Sequence, residues 1–553
     1  MKTFYPSLLT CMKSYSKAQF GKDLISGVIV AIIALPLSIA LAIASGVGPA
    51  VGLYTAIVAG FLVALLGGSP VQITGPTAAF ATIVAGIVAT QGVDGLAIAT
   101  IMAGVLLIVM GVCRLGSLIK FIPYTITTGF TAGIAVTILV GQLKDFFGLT
   151  FQSAPVETMD KLKEVVRSFS TFNLWALVIG LLSLVILIFL PKVLPKVPAS
   201  LVAVIVCALV VKLLGVSVNT IGVLYPDISS APPHLILPTG ISWERIVSLI
   251  PNAVTIAVLA AVESLLSCVV ADGMVGSRHN SNTELIAQGV GNVGSALFGG
   301  IPATGAIART AANIKNGGRS PVAGMVHSVV LLAMLVVLMP YAKLIPMPTI
   351  AAILFMVAYN MCGWREFKAI LQSSPKSDIL VLLVTFVLTV VFDLVVAIAV
   401  GLVLAFVLFM KRMSDETNVF GWKSVDEADD PDSIRLKSVP DGAMVYEITG
   451  PIFFGASDKV AAIFAGFDEK VVILRMRSVP AVDATGIHAF ETILKTCQRD
   501  GVTLIMSHVN EQPMRVLRKA GLVEAIGEEN FCPNIDAALE RARAVMEKQG
   551  VPV

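Results

Sequence analysis

From Leu24 to Cys113 the chain carries one charged residue, Asp94, and between Arg245 and Asp272 it carries only Glu263. A stretch this free of charge has no polar face to turn to water, so it folds against lipid or deep inside a larger helical body. Charged residues make up 14% of the 553-residue chain, against about 25% in an ordinary soluble domain. An ordinary cytosolic enzyme is excluded on that ground. Beyond Lys411 the sequence turns charged and soluble in character. These features describe a polytopic α-helical membrane protein with a C-terminal soluble domain.

A spanning helix needs about 20 apolar residues, and the stretch from Leu24 to Met410 has room for fourteen. Spans are expected at about 24–44, 52–67, 75–90, 94–112, 121–141, 172–190, 199–214, 252–272, 283–299, 304–316, 321–340, 347–362, 378–392 and 394–410. Basic residues mark cytoplasmic loops. With Lys2, Lys13, Lys17 and Lys22 inside, the even-numbered connections should be basic. Arg114 and Lys120, Lys192 and Lys196, Arg278, Lys315 and Arg319, Arg365, Lys368 and Lys376, and Lys411 and Arg412 follow that rule. Both termini are therefore expected in the cytoplasm, with the chain in the inner membrane. Asp393 divides the last apolar run and is expected to mark a tight outer hairpin. The first apolar run is too long for a cleavable signal segment.

The expected organisation is a cytoplasmic segment 1–23, a transport domain 24–411 with repeats at about 24–214 and 252–410, a linker 412–438 and a cytoplasmic domain 439–553. In the last of these, Ala443–Thr449, Val471–Met476 and Val502–Ser507 have strand character. Ser457–Phe467, Ala484–Arg499, Gln512–Ala520 and Asn534–Lys548 have helical periodicity. This alternation is that of a small α/β layer domain. It contains no phosphate-cradling glycine motif, so nucleotide hydrolysis is not expected to drive the protein. The net charge of +3 and the lack of a basic run leave no case for nucleic acid. The seven scattered cysteines contain no metal-ligand pair and are expected as small hydrophobes, and no cofactor is implied.

Two short segments echo each other. Gly67-Gly68-Ser69-Pro70 leads to Thr74-Gly75 before the third span, and Gly299-Gly300-Ile301-Pro302 leads to Thr304-Gly305 before the tenth. Thr304 follows Thr74 by 230 residues and seven spans, and an odd number of spans inverts one copy relative to the other. Broken segments in two inverted halves point to a transporter's binding site. A helix that starts inside the membrane aims unpaired N–H groups and its positive dipole end into the cavity, which attracts an anion. The expected anion contacts are Thr74, Gly75, Thr77 and Ala78 in one half and Thr304, Gly305, Ala306, Ile307, Ala308 and Arg309 in the other. Arg309 either faces the anion or snorkels to the cytoplasmic surface. Glu263, mid-span, is a proton carrier, a cation ligand, a partner to Arg309 or a structural hydrogen-bonding group; Ser267 shares its face. Gln142, His327 and Asn360 read as interhelical hydrogen bonds.

At these residues the chain resembles the SulP anion transporters, related to solute carrier family 26. The resemblance covers nearly all of it. It is carried by Gly46-Val47-Gly48-Pro49-Ala50-Val51-Gly52-Leu53-Tyr54, Gly68-Ser69 through Ala78, the block from Gly291-Asn292 to Arg309-Thr310-Ala311, and Val482-Asp483-Ala484-Thr485-Gly486. The last lies in a domain similar to STAS, the sulfate transporter and anti-sigma factor antagonist fold. The resemblance implies fourteen spans in two inverted seven-helix repeats, divided into core and gate, commonly in a homodimer. It places the anion between the broken helices, with the first span contributing near Pro36 and Ser38, and maps the coupling acid onto Glu263. Glu263 with Ser267 is similar to the proton-coupled branch, whereas relatives with Asp there look like sodium symporters. Where many sulfate-type members have Pro-Gln and a Tyr, this chain has Pro36-Leu37 and Leu41. That apolar wall is similar to the branch that carries C4-dicarboxylates such as succinate, fumarate and aspartate.

The expected activity is thus proton-coupled dicarboxylate uptake by alternating access. A sulfate or bicarbonate transporter on the same scaffold, coupled to protons or sodium, is the alternative. So is an anion channel or a regulator acting through the STAS-like domain, which could bind a cytoplasmic protein. Thr485 falls where related sporulation regulators are phosphorylated, though a hydroxyl at a helix start after Asp483 is the plainer role.

Overall fold

The computed structural model describes residues 4–117, 123–153, 155, 157–194, 197–392, 394–422, 439–454 and 469–549. Lys120, Lys196, Asp393, the expected helix Ser457–Phe467 and most of the expected linker lie outside these residues. Two compact units divide the chain, Met1–Leu402 and Val403–Val553.

The apolar helices are α1 (Lys17–Ala44), α2 (Pro49–Leu66), α3 (Ala78–Val112), α4 (Tyr124–Phe147), α5 (Leu174–Val193), α6 (Ala199–Leu214), α7 (Trp243–Val275) and α8 (Ser281–Leu297). They continue with α9 (Ile307–Lys315), α10 (Val322–Ala342), α11 (Met347–Cys362), α12 (Lys376–Val391) and α13 (Leu394–Glu416). These supply the fourteen expected segments in order, because α3 joins the two expected at 75–90 and 94–112. Its limbs are separated at Gly92, whose φ of 72° lies in the region open to glycine. Nine helices among the described residues are long and apolar enough to cross a membrane by length and composition, α11 with its continuation to Ser373; α6, α8, α9 and α12 are shorter. Val178, Leu181, Val185 and Phe189 of α5 are exposed, a stripe of apolar side chains that only lipid or protein would cover.

Three boundaries differ from expectation for identifiable reasons. Helix α1 begins at Lys17 rather than near residue 24, because the Ser16 side chain caps it by accepting from the Gln19 N–H at 3.1 Å. Asp23 is therefore inside a helix, and it is fully buried. It accepts from Tyr15 Oη at 2.8 Å, Gln19 Nε2 at 2.9 Å and the Arg319 N–H at 2.9 Å. Helix α7 starts early, at Trp243, where Ser242 caps it by accepting from the Arg245 N–H. Helix α9 is only nine residues long, because Thr304-Gly305 forms a strand instead of a first turn.

In the second unit, β3 (Asn418–Trp422), β4 (Ala443–Thr449), β5 (Val471–Ser478), β6 (Thr503–Ser507) and β7 (Phe531–Cys532) form one sheet in chain order. β3 pairs antiparallel to β4, and the other neighbours are parallel. Strand β3 falls within the stretch read as linker; five residues at a sheet edge give too short a pattern to show. Helices α14 (Ala484–Asp500), α15 (Glu511–Lys519) and α16 (Ile535–Lys548) follow the strands. Phe490 and Leu517 anchor one apolar cluster against the sheet, and Ala538 and Met546 another. The seven cysteines are unpaired, and burial pushes the Cys497 thiol up to about 11. Asp483 caps α14, accepting from the Gly486 N–H at 2.8 Å, and Thr485 is exposed in its first turn.

Candidate functional site

β1 (Thr74–Gly75) and β2 (Thr304–Gly305) pair antiparallel, with Thr74 opposite Gly305 and Gly75 opposite Thr304. Antiparallel pairing of like segments is what inverted halves impose. A further bond runs from the Ala306 N–H to the Ile73 carbonyl at 2.8 Å. Each strand leads within two residues into a helix, α3 through Pro76 and Thr77, and α9 through Ala306. Neither helix receives a side-chain cap, so the first-turn N–H groups are left for water or a ligand. The start of α9 is open, with Ile307 41% exposed and Ala308 exposed beside it.

Arg309 lies in the first turn of α9 and is buried, 4% exposed. It does not snorkel. Its Nη2 donates to the Pro76 carbonyl at 2.6 Å, across the interface between the halves. A β-carbon on Gly75 would stand 2.4 Å from Arg309 Nη1 and 3.5 Å from the Ala56 Cα, so glycine is the residue that admits the guanidinium. Glu263 on α7 accepts from Thr77 Oγ1 at 2.9 Å. Its carboxylate thus sits at the start of α3, and no ion pair within 4 Å joins it to Arg309 among the described residues. Ser267, one turn on, is buried and reaches Thr310 Oγ1 at 3.5 Å.

Two expected donors are turned away from the opening. Thr304 Oγ1 donates to the Ala260 carbonyl at 3.0 Å, and Thr74 Oγ1 accepts from Gln288 Nε2 at 2.9 Å. Both threonines are buried, and they brace the strand pair instead of presenting hydroxyls. Pro36, Ser38 and Ala78 are buried as well, and no hydrogen bond among the described residues joins the Ser38 hydroxyl to anything.

The residues that hold the pair are ones the sequence reading passed over. Glu284 on α8 is fully buried. It accepts from the N–H groups of Gly68 at 2.9 Å and Ser69 at 3.2 Å, from Gln72 Nε2 at 2.7 Å and from Gln288 Nε2 at 3.1 Å. Asn292 binds the Ala303 backbone in both directions, and Ser295 donates to the Ile301 carbonyl. One polar stripe at four-residue spacing, Glu284, Gln288 and Asn292, therefore fixes both loops that lead into the strands. Such spacing inside an apolar segment was a readable signal.

The sequence matches the description of the sulfate permease family over residues 20–385 and that of the STAS domain over 436–538. "Putative sulfate transporter YvdB" of Bacillus subtilis (strain 168) is 40% identical over 528 residues, covering 95% of this chain and 98% of that protein. Bicarbonate transporter BicA of Picosynechococcus sp. (strain ATCC 27264 / PCC 7002 / PR-6) is 31% identical over 549 residues, covering 94% of each. The fold is shared with the murine Solute Carrier 26 family member A9 anion transporter, at a TM-score of 0.86 and 20% identity, over 98% of this chain and 94% of that one. The chain belongs to the sulfate permease family of multi-pass membrane anion transporters, with a C-terminal STAS domain.

Proposed function

We propose that the chain is a secondary carrier for a small oxyanion, held where the uncapped starts of α3 and α9 meet beside Arg309. The observation that carries this reading is the β1–β2 pair, which brings two positive helix ends and one guanidinium together within the membrane-spanning unit. Pro76, Thr77, Ala306, Ile307 and Ala308 form the approach, and Thr74 and Thr304 act as braces. The halves move past each other in alternating access. Glu263 carries the coupling proton, and its bond to Thr77 transmits its charge state to the start of α3. The chain sits in the inner membrane with both termini cytoplasmic, a placement its basic loops support, and it pairs as a homodimer, as the family resemblance implies.

The relatives' names favour sulfate or bicarbonate as the substrate. A second reading, C4-dicarboxylates, rests on Leu37, which is half-buried on α1 in place of a polar residue; Leu41 is packed into the core and adds nothing to an open wall. Uptake of labelled bicarbonate, sulfate and succinate into proteoliposomes, with and without a proton gradient, separates these readings. Stimulation of one anion by an inward proton gradient is expected, and Glu263→Gln should make that uptake insensitive to the gradient. A sodium requirement in place of a proton effect would remove Glu263 from proton coupling.

A further inference from the structure

His327 on α10 is fully buried, and neither ring nitrogen has a hydrogen-bond partner among the described residues. The interhelical bond expected of it is absent. Buried polar groups are rarely left unpaired, and an exception calls for an account. A second one belongs to the same region: Arg309 Nη1 is buried and unpaired, although Nη2 is bound to Pro76.

Helix α2 shows how the two are placed. A β-carbon on Gly60 would stand 2.8 Å from Ser328 Oγ, 3.1 Å from the Thr74 carbonyl oxygen and 3.9 Å from His327 Nδ1. One turn earlier, Ala56 lies against Gly75, over which Arg309 Nη1 sits. Strand β1 therefore runs along α2 with the guanidinium at one end and the imidazole at the other. The two orphans are complementary. A guanidinium N–H only donates, while a neutral imidazole offers one lone pair. They lie beyond direct bonding distance, and an enclosed water needs two to four polar partners. Arg309 Nη1, a His327 nitrogen and the Thr74 carbonyl would supply them.

We propose that His327 is a positioning residue for Arg309: it accepts, through one enclosed water, from Nη1, and so holds the guanidinium against Gly75 where the two half-helices meet. The inference rests on Arg309 being the cation that binds the transported anion.

The test uses full-length protein in proteoliposomes with labelled sulfate, bicarbonate and succinate as probes. His327→Leu should raise the half-saturating concentration of the accepted anion about tenfold, the scale of one lost charge-assisted hydrogen bond, with the maximal rate little changed. His327→Gln, of similar volume but with a polar end, should stay within about threefold of the parent. In an Arg309→Ala background His327→Leu should have no further effect on half-saturation. Equal behaviour of Leu and Gln, or an undiminished Leu effect without Arg309, overturns the proposal. If His327→Leu does not reach the membrane, His327→Gln decides, and a tenfold loss with Gln overturns it. Should Arg309→Ala leave half-saturation unchanged, the reading of the site falls and takes the inference with it; if only His327→Leu is silent, the inference falls alone.

Discussion

The two halves meet at the same backbone motif and dress it differently. In the first, Thr74-Gly75 leads through Pro76 and Thr77 into α3, and the half contributes a carbonyl, a hydroxyl and a glycine that leaves room. In the second, Thr304-Gly305 leads through Ala306 into α9, and the half contributes the cation, Arg309. One half is a receptacle and the other an intruder: Arg309 reaches across the interface to Pro76 and lies on Gly75. Inverted symmetry supplies two helix dipoles aimed at one place. On the proposed reading, the asymmetry of side chains decides which half holds charge and which responds to it through Thr77 and Glu263.

The largest test of that division is to remove its charged member. Arg309→Ala should weaken anion binding at least about tenfold, since a charge-assisted contact is worth about 1.5–3 kcal/mol. Thr77→Val removes only the hydroxyl bond to Glu263 and should change affinity much less, while blunting the response to a proton gradient. Equal losses in a titration of half-saturating concentration would mean that the two halves contribute alike.

The glycines separate binding from stability. Added to Gly75, a methyl meets Arg309 Nη1, the far end of a flexible side chain, at 2.4 Å; added to Gly305, it meets Gln72 at 2.6 Å. Gln72 is itself tied to Ser264 at 2.8 Å, Glu284 at 2.7 Å and Cys268 at 3.0 Å. Gly75→Ala should therefore displace the guanidinium and raise half-saturation severalfold with the fold retained. Gly305→Ala should break a buried network and lower the thermal midpoint of purified protein, by a loss of about 1–3 kcal/mol. A reversed pattern would show that Arg309 is held more firmly than Gln72.

The same contrast explains what could be read from the residues in advance. Fourteen apolar segments and the matching Thr-Gly starts are local patterns, and each is visible in a window of a few residues. The fate of a hydroxyl is not local. Thr74 and Thr304 look like donors to a guest until Gln288, 214 residues from Thr74, and the Ala260 carbonyl claim them. Glu284 stood at the edge of its span, where a carboxylate is ordinarily wet. Only the folding of the Gly68–Gln72 loop onto α8 brings it three of its donors, the N–H groups of Gly68 and Ser69 and the Gln72 amide, beside Gln288 of its own helix. Likewise Gly92 breaks α3 through a backbone angle that glycine permits but its presence does not announce.

The smallest effect concerns the stitches between the halves. Thr310 of the second half accepts from the Ile73 N–H at 3.0 Å, just before β1, and Thr55 of the first accepts from the Ile301 N–H at 2.8 Å, in the loop leading to β2. Each hydroxyl satisfies a buried N–H that has left regular structure. Thr310→Val and Thr55→Val keep side-chain shape and should each cost about 1–3 kcal/mol of stability, while Thr→Ser at either position should cost less. If the halves were dressed alike in function, both Val variants would also slow transport equally. Thr310 adjoins Arg309 in α9, whereas Thr55 lies a loop away from β2. Only Thr310→Val is therefore expected to raise half-saturation, by about two- to threefold. Uptake and thermal midpoint measured on the same preparations distinguish these outcomes, and an equal rise for Thr55→Val would show that the first half positions the anion as directly as the second.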